Sequence, residues 1–209
     1  MRGPPGRGLA RNVRIGPHAP AFGLNLCIVE KPTDGVLRIG WFASGSHGKD
    51  MAIIKRALEW ASRQDGVEVW TMGLDPQKAW ADEKGRPFRR THVPWTNDLA
   101  TYRKMMGVLD IGLAPVTPTV WSLGRSDLKA LEYAAAGAVP VMSDISIYDP
   151  WLNGFGCIKA GTPKDWLNKI KYLVQNRADV KVLQAQAKEY VLGKRTNRHV
   201  VADYETAFA

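Results

Sequence analysis

The sequence predicts an α/β fold: a single doubly wound parallel sheet of about six strands, with helices on both faces. Three observations carry the prediction. Short apolar segments such as LRIGWFA and VEVWTMG are near-continuous, as expected of strands buried on both faces. Longer runs such as DMAIIKRALEWASR place apolar residues at helical spacing. The two kinds alternate along the chain, the order that parallel strands with crossover helices require. The pattern is Rossmann-like.

The elements follow in order. Residues 1–36 are rich in Gly, Pro and Arg, with one apolar patch, FGLNLCIV. They read as a basic tail or linker with at most one short strand, which leaves 37–209 for the folded domain. LRIGWFAS is the first strand and DMAIIKRALEWASR the first helix. VEVWTMG is the second strand, and FRRTHVPW contains the third. NDLATYRKMMGVL reads as a helix capped by Asn97, and LDIGLAPV as the fourth strand. TPTVWSLG reads as a polar, mobile connector. GRSDLKALEYAAAG is the next helix, AVPVMSD the fifth strand and GFGCIKAG the sixth. TPKDWLNKIKYLVQN starts with Thr162 as cap and Pro163 at the first helical position. VKVLQAQAKEYVLG is a helix that Gly193 is expected to end, and TNRHVVADYETAF reads as one more. No internal repeat is found.

Composition narrows the function classes. The chain has 209 residues, 45% hydrophobic and 23% charged, as in a soluble globular domain with a real core. No apolar run approaches the roughly 20 residues of a bilayer span. The N-terminus is basic but has no apolar core of a secretory signal. Cys27 and Cys157 match no metal or redox spacing and read as free thiols in a reducing cytoplasm. A cytoplasmic protein without metal or cofactor is the expectation. The net charge of +9 suits nucleic acid, a membrane surface or a phosphorylated small molecule. Part of the excess is Arg2, Arg7, Arg11 and Arg14, which face no acid. The absence of a known reader motif speaks against nucleic acid. No Ser/His/Asp order, zinc spacing or paired-carboxylate pattern is assignable.

The most informative stretch is GRSDLKALEYAAAGAVPVMSD, residues 124–144. In a doubly wound sheet, ligands sit beyond the carboxyl ends of the strands, where loops feed helix N-termini. Ser126 is the expected N-cap, and the free amides of the first turn, with Asp127 and Leu128, favour an anion. Arg125 and Lys129 add full positive charge on either side. Glu132 lies six residues past the cap, about 9 Å along the axis at about 1.5 Å per residue. A carboxylate there repels a close phosphate but accepts from two neighbouring hydroxyls. Diphosphate at the helix start and ribose at Glu132 is a consistent placement, with the short side chains of AAAG permitting close approach. A second loop, GWFASGSHGKD, offers Gly45, Ser46 and Gly48 as a turn able to approach phosphate. His47 is able to donate to phosphate or sugar, and Lys49 to counter charge. Without a ligand, the same residues read as an amphipathic helix with a solvated glutamate and an exposed loop histidine. Trp41 and Trp70 read as core. Trp95 and Trp121 fall at strand-to-helix corners, where a base or sugar is able to stack. Asp144 reads as a turn former, and Tyr148 as lying on the ligand side.

Taken together, IGWFASGSHGKD, LDIGLAPV and above all SDLKALEYAAAGAVPVMSD, with IYD soon after, resemble the C-terminal, donor-binding half of retaining GT-B glycosyltransferases of the glycosyl transferases group 1 type. The resemblance runs from about Leu37 to the C-terminus. It implies a glycosyltransferase, or its donor-binding half, that binds a nucleotide-diphosphate sugar such as a UDP or GDP sugar. It also implies a phage or bacterial source. Glu132 would hold the ribose, while the helix start from Arg125 to Lys129 and the glycine loop hold the diphosphate. Arg125 and Lys129 would stabilise the leaving group, making them the catalytic candidates. Many members carry another glutamate where this chain has Gly124, and Arg125-Ser126 resembles the Lys-Ser version of others. A complete enzyme of this type has a second, acceptor-binding domain, which residues 1–36 do not supply. The acceptor is unknown; either the chain is a fragment of a longer enzyme, or a separate acceptor-domain protein is the partner that provides the acceptor side. The alternatives are a non-catalytic partner subunit of a split enzyme and a nucleic-acid-binding module using the arginine tail.

Overall fold

The computed structural model describes residues 31–75, 89–151, 154–196 and 199. Its centre is a six-stranded, all-parallel sheet: β1 (Leu37–Ala43), β2 (Val67–Gly73), β3 (Thr91–Val93), β4 (Ile111–Ala114), β5 (Val139–Ser143) and β6 (Ile158–Ala160). The strand order is β3-β2-β1-β4-β5-β6. The chain winds outward from β1 to β3, then returns to β4 on the other side of β1. That reversal opens a crevice between the loops leaving β1 and β4, at the carboxyl ends of the strands.

The helices among the described residues are α1 (Gly48–Ala61), α2 (Leu99–Gly107), α3 (Val120–Leu123), α4 (Leu128–Ala135), α5 (Pro163–Gln175) and α6 (Arg177–Lys194). They cover two hydrophobic layers. One joins Leu37, Ile39 and Trp41 to Ile54 and Leu58 of α1 and to Trp166 and Ile170 of α5. The other joins Phe42 and Met72 to Met106 of α2, Tyr133 of α4 and Val191 of α6. Successive β1 side chains therefore enter opposite layers, as the period of two requires. On the second face two strand glycines make room for large side chains. A Cβ at Gly40 would lie 2.2 Å from the Leu109 side chain, and one at Gly112 would lie 2.1 Å from the Tyr133 ring.

Several sequence-based expectations change in detail. Asp98, not Asn97, caps α2, accepting from the amides of Ala100 and Thr101 at 3.3 and 2.9 Å. The TPTVWSLG connector contains α3, which begins with a reciprocal Thr119–Ser122 capping box. Gly193 does not end α6, which runs on to Lys194. The AAAG segment packs inward: Ala134 and Ala135 are buried, and Gly137 adopts φ +81 as the chain turns into β5. Trp41 is buried as expected, whereas Trp70 is half-buried, its indole donating to Glu68 at 3.0 Å. Lys31 donates to the carbonyls of Leu109 and Gly137 at 2.5 and 2.7 Å, fastening its segment beneath β4 and β5. The FGLNLCIV patch, Cys27, the N-terminal arginines and nearly all of the final expected helix lie outside the described residues. No helix among those described is long and apolar enough to cross a membrane.

Candidate nucleotide-sugar site

Three strand ends build the site. β1 delivers the Ser44–His47 turn and the start of α1, and β4 delivers Pro115–Thr117 and the short α3. β5 leads to Tyr148, whose hydroxyl donates to the Ala114 carbonyl at 3.2 Å. The β1 and β4 loops are stitched by Asp50, a buried carboxylate in the first turn of α1. One Asp50 oxygen contacts His47 Nδ1 at 2.8 Å, and the other accepts from the Thr117 amide at 2.7 Å. Burial would raise the Asp50 carboxyl, but the bonds from His47 and Thr117 prevail and hold it below the ordinary carboxylate value.

Between these loops and α4 lie two adjoining cavities. The smaller, about 160 Å³, reaches the strand ends at Ala43 and Ala114 and includes Ser44 and Tyr148. The larger, about 730 Å³, extends along α4 to Glu132 and is walled on its far side by Thr96, Asn97, Leu99 and Tyr102. His47, Trp95, Arg125, Ser126 and Lys129 line both. Arg125 is exposed and has no ion-pair partner among the described residues. Lys129 reaches across to Glu132, with Nζ 3.2 Å from Oε2, and also donates to the Tyr102 hydroxyl. Tyr102 in turn donates to the same Glu132 oxygen at 2.9 Å. Burial, reinforced by the neighbouring Glu132 charge, pushes the Tyr102 phenol upward, so it stays a proton donor. Glu132 is thus a half-buried cavity residue gripped through one oxygen by polar neighbours.

The structure brings His47, Arg125, Ser126, Leu128, Lys129 and Glu132 together around these cavities. Gly45 and Ser46 sit at the mouth, exposed; Ser44 lines the wall instead and bonds Ser46 across their hydroxyls at 3.1 Å. Lys49 is exposed on α1. Trp121 is exposed on α3 away from the cavity wall, whereas Trp95 lies on that wall. Two expectations about α4 are corrected. Its N-cap is Asp127, whose carbonyl accepts the first helical bonds from Ala130 and Leu131, so Ser126 precedes the cap. Asp127 itself points away from the cavity: it is 3% exposed and its carboxylate is held by Arg195 at 2.9 and 3.1 Å. Burial pushes that carboxyl upward against the opposing pull of Arg195 and Trp151. Sequence reading missed Asp50 and Tyr102. For Asp50 a signal existed, since His47 and Asp50 stand three residues apart at a helix start. Tyr102 gave none, because its partners lie on another helix.

The fold and the position of the cavities define a class: a doubly wound α/β domain with a crevice at the point where strand order reverses. More particularly, solved glycosyltransferase structures share this fold. Anabaena HepE in complex with UDP superposes with a TM-score of 0.65 at 12% identity, covering 83% of this chain and 49% of HepE. WaaG, a glycosyltransferase of lipopolysaccharide biosynthesis, gives 0.62 at 15%, covering 81% and 46%. The C-terminal domain of the group 1 glycosyl transferase LpcC from Francisella tularensis gives 0.61 at 11%, with 84% of this chain against all of that domain. The chain spans about half the length of HepE and WaaG. The resemblance to the C-terminal domain of GT-B glycosyltransferases therefore holds at the level of fold. No family model matches the sequence, and no curated protein matches it.

Proposed function

We propose that this domain binds a nucleoside-diphosphate sugar and serves as the donor half of a glycosyltransferase. The observation that carries the reading is the sharing of one crevice by Arg125, Ser126, Lys129 and Glu132 at the carboxyl end of the sheet. The similar HepE structures were solved with UDP and with UDP-glucose, which supports the class of ligand. In this placement the diphosphate lies against Arg125, Lys129 and the first amides of α4, with His47 beside it. Glu132 accepts from the ribose hydroxyls, and the base lies toward Trp95. Lys129 exchanges its bond to Glu132 for the phosphate as the donor enters.

Transfer breaks the bond between the sugar's anomeric carbon and the phosphate oxygen. The electron pair stays on the diphosphate, where Arg125 and Lys129 offset the developing charge. The acceptor oxygen bonds the anomeric carbon and passes its proton to the departing diphosphate oxygen. The acceptor side belongs to a second domain or a separate protein. A second reading, a donor-binding subunit without turnover, is favoured by Gly124, which leaves the sugar end of the cavity without a carboxylate. A Cβ at Gly124 would meet only the Trp121 carbonyl, at 3.7 Å, so a side chain can start there without a clash. If that gap limits turnover, Gly124→Glu raises donor hydrolysis or transfer without strengthening UDP binding.

Calorimetry with UDP and GDP tests the main reading. One of the two binds, and Arg125→Ala or Glu132→Ala each weakens it about tenfold or more, as expected for one charged hydrogen bond. Absence of binding by both at millimolar concentration overturns it.

A further inference from the structure

Asp is among the best N-cap residues because its carboxylate accepts from the exposed amides of the first turn. Asp98 does this at the start of α2. Asp127 is the N-cap of α4, but its backbone stands at φ −80 and ψ 16, where Asp98 is extended at ψ 111, and its side chain makes no cap bond. Both of its oxygens instead accept from Arg195 Nη2, at 3.1 and 2.9 Å, and one also accepts from Trp151 Nε1 at 2.9 Å. The pair is closed off from solvent: Asp127 is 3% exposed and Arg195 6%. Arg195 is held in turn. Its Nη1 donates to the Tyr190 hydroxyl at 2.9 Å, which donates to the Pro150 carbonyl at 2.8 Å, and the Trp151 ring meets Tyr190 edge-on at 4.9 Å.

We propose that Arg195 is a positioning residue for the donor site: it draws the Asp127 carboxylate inward, so that the first amides of α4 stay open to a phosphate. The inference rests on the donor-site reading above. Released from Arg195, Asp127 would be free to take the extended backbone that Asp98 has and to turn its carboxylate back onto those amides. It would occupy the donors the diphosphate needs and set a negative charge against it. A capping carboxylate and a bound phosphate compete for the same amides.

The test compares UDP with uridine, which lacks the phosphates, on the full chain. Arg195→Met is expected to weaken UDP by about tenfold or more and leave uridine within about threefold. The double variant Asp127→Ala with Arg195→Met removes both charges and the capping group, and is expected to recover most of the lost UDP affinity. Equal losses for UDP and uridine mean a merely structural pair and overturn the proposal. So does unchanged UDP binding in Arg195→Met, or a double variant as weak as the single one. Should Arg195→Met fail to fold, Arg195→Gln, which keeps a donor to Asp127, reads the same contrast at smaller amplitude. Wild-type protein that binds neither UDP nor GDP defeats the donor-site reading and this inference with it. Wild-type binding with an indifferent Arg195 defeats this inference alone.

Discussion

Gly112 shows how single positions set the site. The Tyr133 ring occupies the space a Cβ there would need, and the Tyr133 hydroxyl accepts from the Phe42 amide at 3.2 Å. One aromatic side chain thus seats α4 on β4 and β1, and its sequence neighbour is Glu132. Gly112→Ala forces a methyl group into a ring 2.1 Å away, so the ring must shift. We expect a loss of about 1–3 kcal/mol in urea denaturation, the range of overpacking, together with weaker UDP binding as α4 moves. Wild-type stability in that variant would show that Tyr133 does not pin the helix. At the same scale, sequence reading assigned Asp127 to the ligand because it stands between Ser126 and Leu128 in the predicted anion-binding turn. Its actual partner, Arg195, lies 68 residues away, and no local pattern reveals it.

Among the elements, the join between the β1 and β4 loops depends on Asp50. Its carboxyl is held below the ordinary carboxylate value in the folded chain, with burial opposing and the His47 and Thr117 bonds prevailing. A carboxyl lowered on folding stabilises fully above its unfolded value, and that contribution disappears as pH falls through the lowered one. Asp34, brought down to about 2 beside Arg38, titrates in the same direction at the surface. Stability measured by urea denaturation should therefore fall between about pH 4 and pH 2. Asp50→Asn should flatten that slope and cost about 1 kcal/mol at neutral pH, since Thr117 keeps only a neutral acceptor. An unchanged slope would remove Asp50 from this role. The helices were legible from apolar spacing, and Thr162-Pro163 marked the start of α5 correctly. The capping box that organises α3 stood in plain view as Thr119 and Ser122, but its polar setting was read as a mobile connector.

For the molecule as a whole, the all-parallel sheet predicts an order of opening. Ile39, Leu113 and Val141, in the central strands, are fully buried, whereas β3 is a three-residue edge with Thr91 exposed. In native-state hydrogen exchange, amides of β1, β4 and β5 should open only near global unfolding, and those of β3 well before. Edge amides as protected as central ones would contradict this. By itself the sequence determined the alternation of strands and helices, hence the parallel sheet and the end at which its crevice opens. It also set Arg125 and Lys129 at one helix start and Glu132 further along the same helix. Hydrophobic period and helical spacing are local properties of a chain. Tertiary structure alone decided that Tyr102 reaches Glu132, that Lys31 fastens beneath β4 and β5, that Asp50 joins two loops, and that Asp127 faces inward. Those contacts join residues 30 to 106 positions apart, and a carboxylate turns toward whichever donor the folded chain brings nearest.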